Sequence, residues 1–201
     1  MHKVGEIEYL LSKRYDRKVD EGGTIHRLHQ KDFCQALAIP SEIKYQAEGG
    51  PGLKDCFALL RFASSSPVVD LRELLNAIFF NLLIGNTDAH TKNYSLLYGR
   101  DGKARLAPLY DLVCTVYYPE IENRLAMEIG GEANPDLIYP KEIEVFAKEA
   151  GLAAAATKRS VSDMAALVLE KSAKIEQPDE TAEKLAKLVA ERCEKVLSRF
   201  K

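Results

Sequence analysis

The residues best suited to chemistry lie in one short polar insert between hydrophobic runs. It reads Ile84-Gly-Asn-Thr-Asp88-Ala-His90-Thr-Lys92-Asn93, and a second motif, Pro108-Leu-Tyr110-Asp111, follows it. A carboxylate, an amide, an imidazole and an ammonium thus share one loop, and another carboxylate comes after a turn signal. Carboxylate and amide oxygens are hard donors suited to a cation such as Mg²⁺. A carboxylate near an attacking hydroxyl, beside oxygens that hold a cation against phosphates, is what phosphoryl transfer needs. On this reading Asp88 is the catalytic acid and Asn93 and Asp111 are metal ligands. Lys92 offsets negative charge or reaches a phosphate, and His90 sits within the same loop.

The spacing sharpens the point. Asp88 and Asn93 lie five positions apart, the separation of catalytic Asp and metal-binding Asn in the protein-kinase loop H-R-D-x-x-x-x-N. Asp111 follows after an expected hairpin, where a kinase keeps its other metal ligand. Asx residues also cap helices and shape turns, and a lone His is as readily a hydrogen-bonded structural residue. The full acid–amide–acid set, flanked by apolar runs, favours a catalytic loop.

These residues carry a family resemblance. The stretch from Phe80 to Leu97, then Leu106-Ala-Pro-Leu-Tyr-Asp-Leu112, resembles the catalytic core of HipA-type toxin kinases. Lys13-Arg-Tyr-Asp-Arg17 resembles the strand-to-hinge segment of that family. His26 to Leu37 and Lys44-Tyr-Gln-Ala-Glu-Gly-Gly-Pro-Gly52 resemble its next helix and loop. The resemblance runs from about Tyr9 to Val116. It implies a eukaryotic-kinase-like fold, with Ser/Thr phosphorylation from ATP and Mg²⁺. It also implies a HipB-like DNA-binding antitoxin as partner and a protein substrate, in some members an aminoacyl-tRNA synthetase. Arg14, Tyr15 and Tyr110 would border the nucleotide.

Such kinases carry an N-lobe ahead of the hinge, with a phosphate-covering loop and a nucleotide-pairing lysine. Twelve residues precede Lys13, too few for either element. The expectation is a C-lobe with the N-lobe absent: a truncation, an excised piece, or half of a split kinase that needs a separate N-lobe. Mg²⁺ and ATP would then bind weakly or not at all to the lobe alone. The Gly-rich stretch 48–52 lacks strand context and reads as an ordered loop rather than a phosphate cradle.

Composition is that of one globular domain. The chain has 201 residues, 46% hydrophobic and 29% charged, with net charge −2, so it can bury a substantial core. Its near-neutral balance argues against direct nucleic-acid binding. The four cysteines, Cys34, Cys56, Cys114 and Cys193, include no CxxC pair, so neither a zinc site nor a thioredoxin motif is expected. With no secretory signal and no membrane-spanning run, they read as free thiols in the cytoplasm.

The elements that must position the loop follow from periodicity. The strongest is a helix over residues 70–84, with Leu71, Leu74, Leu75, Ile78, Phe79, Leu82 and Leu83 as a wide apolar stripe ended by Gly85. Helices are also expected over 30–38, 54–62, 141–150 and 153–175, the last broken at 176–178. A final helix opens at Asp179. Strands are expected at 7–11, 95–98 and 104–107, the last two joined by Gly99-Arg-Asp-Gly102 into a hairpin, while 26–29 reads as a strand or the approach to a helix. Residues 117–135 read as irregular. The fold class is therefore mostly α (α+β), a kinase-like C-lobe with small β-hairpins. It forms a single domain over 1–201: hinge-proximal strand 1–17, catalytic core 70–116, C-terminal helices 139–201.

Two other functions stay in view. One is a catalytically silent module that docks an antitoxin or N-lobe partner, though docking does not require acid–amide–acid chemistry. The other is a divalent-metal hydrolase using Asp88, His90 and Asp111, which lacks a second His at ligand spacing.

Overall fold

The computed structural model describes residues 2–4, 7–9, 11–175 and 179–200. Its centre is a long helix, α3 (Pro67–Ile84), which packs against α2 (Leu53–Ala63), α5 (Ala154–Ser172) and α6 (Glu180–Arg199). α4 (Pro140–Glu149) lies against α5. Leu74, Ala77, Ile78, Phe79, Leu82 and Leu83 of α3 are buried, as the wide apolar stripe requires. Phe146 of α4 meets Phe57 and Phe79 edge-on, at 5.7 and 6.3 Å between ring centroids. This aromatic contact joins three helices in one core.

α3 begins three residues earlier than the periodicity suggests. Pro67 occupies its first turn, where a missing N–H costs nothing and the fixed φ suits a helix. Just inside, the buried Asp70 carboxylate accepts the Ser64 hydroxyl at 2.5 Å, the Leu106 N–H at 2.8 Å and two Arg105 nitrogens at 2.8–3.0 Å. The start of α3 is thereby tied to the sheet.

The strands are short and antiparallel. Before the first helix come β1 (His2–Val4), β2 (Ile7–Tyr9), β3 (Arg17–Val19), β4 (Ile25–Arg27) and β5 (Gln30–Asp32). β1 pairs with β2 and β3 with β4, while β5 joins β6 (Ser95–Tyr98) and β7 (Ala104–Leu106) in a three-stranded sheet. The register sets Gln30 opposite Leu97 and Leu97 opposite Arg105. The expected 95–107 hairpin is present, its turn closed by Gly99 N–H to Lys103 O at 2.8 Å.

One expected helix is corrected. Residues 30–38 are not continuously helical: Gln30–Asp32 is strand β5, and α1 spans only Phe33–Ala36. Asp32 is the reason. Its side chain accepts the Gln35 N–H at 2.8 Å while the Gln35 side chain takes the Asp32 N–H at 3.1 Å. This capping box fixes the helix start at Phe33 and leaves the preceding residues extended for pairing. Ala38, at φ 56°, ends the turn at once. α5 likewise stops at Ser172 rather than 175. The expected break at 176–178, Leu10 in the expected strand, and Lys201 lie outside the described residues.

Residues 117–135 are irregular, as expected, apart from short turns and an isolated bridge between Ile129 and Glu132. Cys34, Cys56, Cys114 and Cys193 are all free thiols. Among the described residues, no helix is long and apolar enough to cross a membrane.

Candidate active site

The insert is delivered by the C-terminal end of α3. Gly85 adopts φ 76°, and a Cβ there would lie 2.3 Å from Val116 Cγ2. Only glycine both turns left-handed and admits the returning chain. Asn86 then closes the helix by donating its N–H to Asn81 O at 2.9 Å. The Asn86 side-chain amide donates to Asn81 Oδ1 at 3.0 Å and to the Asp111 carbonyl at 2.9 Å. Asn81 in turn donates to the Tyr94 hydroxyl at 3.1 Å. A buried polar chain thus connects helix, loop and the Asp111 backbone. Thr87 adds a second stitch: its N–H and hydroxyl both meet Thr115 Oγ1 at 2.8 Å, and Thr115 bonds Gly85 O at 3.0 Å.

The acid–amide–acid set meets through this scaffold. Asn93 accepts the His90 backbone N–H on Oδ1 at 2.9 Å and donates from Nδ2 to Asp111 Oδ2 at 2.5 Å. An amide oxygen has two lone pairs, so one remains on Asn93. Asp111 is exposed and left-handed, at φ 59°. That conformation costs a non-glycine residue about 1 kcal/mol, and here it sets the side chain against Asn93. Asp88 is half-buried and accepts the Tyr45 hydroxyl on Oδ1 at 2.8 Å.

His90 links Asp88 and Asn93 through its backbone, its N–H meeting Asp88 O at 2.8 Å and Asn93 Oδ1 at 2.9 Å. It is 6% exposed, its Nδ1 has no hydrogen-bond partner, and its ring meets Tyr45 edge-on at 5.5 Å. Burial, then the charge of Lys44, pushes its pKa down, while Asp88 and Asp111 both pull it up. A hydrogen-bonded run thus leads from the Asp88 carbonyl through the His90 N–H and the Asn93 amide to the Asp111 carboxylate. Asn93 turns its Nδ2 toward Asp111 and its Oδ1 toward the His90 N–H, and an amide beside a carboxylate supplies the donor types that suit a divalent cation of the Mg²⁺ kind. Among the described residues no three His, Cys, Asp or Glu side chains gather to hold a metal, so the hydrolase alternative lacks a ligand shell there.

The remaining predicted residues divide. Tyr110 is half-buried, donates to Lys92 O at 2.5 Å and bonds Ser95 Oγ at 2.8 Å. Burial pushes its pKa up to about 12. Tyr15 stands beside it at 6.2 Å between ring centroids and donates to Gln30 Oε1 at 2.9 Å, so the segment before β3 reaches the Asp111 end of the site. Arg14 instead forks onto Asp16 through two 2.8 Å bonds. That bond, more than the charges of Arg14 and Arg17, holds Asp16 down to about 2. The Glu42 carboxyl is lowered first by a backbone N–H and the Ser41 hydroxyl, and less by the charge of Lys92. Lys92 supplies the site with its carbonyl.

Lys44 and Tyr45 were not among the residues singled out from sequence. They come from a loop that is clamped on two sides. Thr91 Oγ1 bonds Lys44 O at 3.3 Å, Gln46 N–H bonds Ala126 O at 3.1 Å, and Ala126 N–H bonds Thr87 O at 2.8 Å. The Gly-rich stretch that follows is an ordered loop, as expected. Gly49 is left-handed, and a Cβ on Gly50 would lie 2.6 Å from Ile43 O.

Comparison with known proteins gives the family. The model of the HipA-like C-terminal domain matches residues 1–195. The chain belongs to the HipA-like C-terminal domain family. Within it, the Sinorhizobium fredii protein Y4mE is 45% identical over 167 residues, covering 83% of this chain and 40% of that protein. The serine/threonine-protein kinase toxin HipA of Shewanella oneidensis is 34% identical over 159 residues, 74% of this chain and 36% of that protein. A solved structure of the Shewanella oneidensis HipA, HipB and operator DNA complex matches with TM-score 0.79 at 29% identity. It covers 94% of this chain and 47% of that one. The fold is thus that of the C-terminal part of HipA, and this HipA-like chain spans well under half the length of the curated relatives it matches.

Proposed function

We propose that this chain is the catalytic C-lobe of a HipA-like serine/threonine kinase, which moves the γ-phosphate of ATP to a protein hydroxyl. The observation that carries the reading is the hydrogen-bonded run from Asp88 through His90 and Asn93 to Asp111, built from an acid–amide spacing of five residues. Asp88, held by Tyr45 on one oxygen, keeps the other free to orient the acceptor hydroxyl and take its proton. Asn93 Oδ1 and the Asp111 carboxylate would hold Mg²⁺. Bound there, that ion supplies charge neutralisation on the phosphates. Tyr15 and Tyr110 offer an aromatic wall at the same end, and Arg14 lies at its edge. The nucleotide's far side would be covered by an N-lobe, whether from the rest of a longer chain or from a separate protein. The likeness to HipA in complex with HipB supports a HipB-like antitoxin as partner and a toxin's role, acting in the cytoplasm.

The test is transfer from γ-labelled ATP to a protein hydroxyl by the lobe together with its N-lobe. Asp88→Asn is expected to lower the rate by about 10³-fold or more while leaving the melting temperature unchanged within a few degrees. Equal transfer by the variant would remove Asp88 from catalysis. The rival reading is a silent docking module. On that reading neither lobe nor complex transfers phosphate, yet the antitoxin still binds.

A further inference from the structure

We propose that Lys44 is the cation that faces the transferring phosphate beside Asp88, an inference that rests on the phosphotransfer reading above. Lys44 Nζ stands 4.7 Å from the ring centroid of Tyr45. The hydroxyl of that ring is bonded to Asp88, and its edge meets His90. Lys44 is half-buried and, among the described residues, forms no ion pair. A partly desolvated ammonium parked on an aromatic face, with carboxylates nearby but none bonded to it, is a cation kept available for an anion. Its backbone is fixed by the Thr91 hydroxyl on one side and by the Gln46–Ala126–Thr87 relay on the other. The ammonium is therefore positioned relative to the 86–93 loop rather than trailing in solvent.

Two further observations support the assignment. Of the other cations named for the site, Arg14 is committed to Asp16 through two 2.8 Å bonds. His90 adds a buried nitrogen with no protein partner, a polar atom that a bound oxygen would satisfy.

In the transfer step the acceptor oxygen forms a bond to the γ-phosphorus, and the bond from that phosphorus to the bridging oxygen breaks. The electron pair leaves on the nucleoside diphosphate. The hydroxyl proton passes to Asp88. Lys44 neither gains nor loses a proton; it offsets charge on the oxygens of the phosphoryl group in flight.

The first measurement needs no catalysis. The chain has four His residues, so the His90 ring signals are assignable by NMR with His90→Gln as reference. Inorganic pyrophosphate added with Mg²⁺ is expected to shift those signals saturably in the wild type and in Lys44→Arg. In Lys44→Met, which keeps the alkyl stem on Tyr45, binding is expected to weaken at least about tenfold. No shift in the wild type, or equal affinity in Lys44→Met, overturns the assignment. The second measurement is phosphoryl transfer. Lys44→Met is expected to lower kcat by about 10²-fold with a smaller change in KM for the nucleotide, and Lys44→Arg to recover most of it. If Asp88→Asn abolishes transfer and Lys44→Met does not, Lys44 falls and the kinase reading stands. If pyrophosphate binding depends on Lys44 but no assembly transfers phosphate, the kinase reading falls and the anion site stands.

Discussion

Gly85→Ala should cost this fold more than any surface change of the same size, and the structure says why in two separable parts. At φ 76° the backbone is left-handed, which costs an L-residue about 1–2 kcal/mol that glycine does not pay. The added methyl would also lie 2.3 Å from Val116 Cγ2 and 3.3 Å from Arg192 Nε. Relieving such a contact costs about 1–3 kcal/mol of repacking. The expected total is about 2–5 kcal/mol, read as a lower urea midpoint with an unchanged slope. A double-mutant cycle separates the parts. Val116→Ala deletes the colliding methyl, so Gly85→Ala in that background should cost only the conformational part, about 1–2 kcal/mol. The coupling is then at least about 1 kcal/mol. A Gly85→Ala variant that loses under about 0.5 kcal/mol, or one with the same cost in both backgrounds, would refute the argument that this glycine admits the returning 114–117 segment. Because Val116 N–H and Thr115 Oγ1 both bond Gly85 O, at 3.1 and 3.0 Å, the variant should also displace the loop carrying Asp88.

Two other outcomes test the frame of the site. Burial alone would raise the Asp70 pKa, but Arg105, the Ser64 hydroxyl and the Leu106 N–H together bring it below its usual value. The folded state thus favours the ionised form, so this stabilisation is full above about pH 4 and is lost as pH falls through the lower folded pKa. Asp70→Asn should lose about 2–3 kcal/mol at pH 7, because it sets an NH₂ against donors. It should also show a flatter loss of stability in urea titrations between pH 5 and about pH 3; an equal loss across that range would contradict the account. Arg192 donates to Leu82 O at 2.7 and 3.3 Å, satisfying a carbonyl at the negative end of α3. Arg192→Met should therefore cost about 1–3 kcal/mol and speed amide exchange at residues 85–87; unchanged exchange there would show that α6 does not brace the loop.

What was legible in the sequence, and what was not, follows from the range over which each feature is encoded. α3 is announced by its own apolar period and its terminal glycine, and the hairpin from Ser95 to Leu106 by alternation around Gly99 and Gly102. The acid–amide set is legible because one loop carries it. The Asp32 capping box was also written locally, but it was overlooked beneath the apolar spacing of Phe33, Ala36 and Leu37.

The groups that complete the site lie beyond the reach of spacing. Tyr45 meets Asp88 across 43 positions, and the Lys44 carbonyl meets Thr91 across 47. No local period links such residues; only the path of the chain over the end of α3 brings them together. Lys92 is the cation that spacing offers because it shares the loop with Asp88, whereas Lys44 comes from a distant segment whose carbonyl meets the Thr91 hydroxyl. Spacing within one loop can set Asp88 beside Asn93, but it cannot point to a cation carried by another segment. A turn fixes where its own backbone goes, whereas the charge that balances a site is set by whatever element packs against that turn.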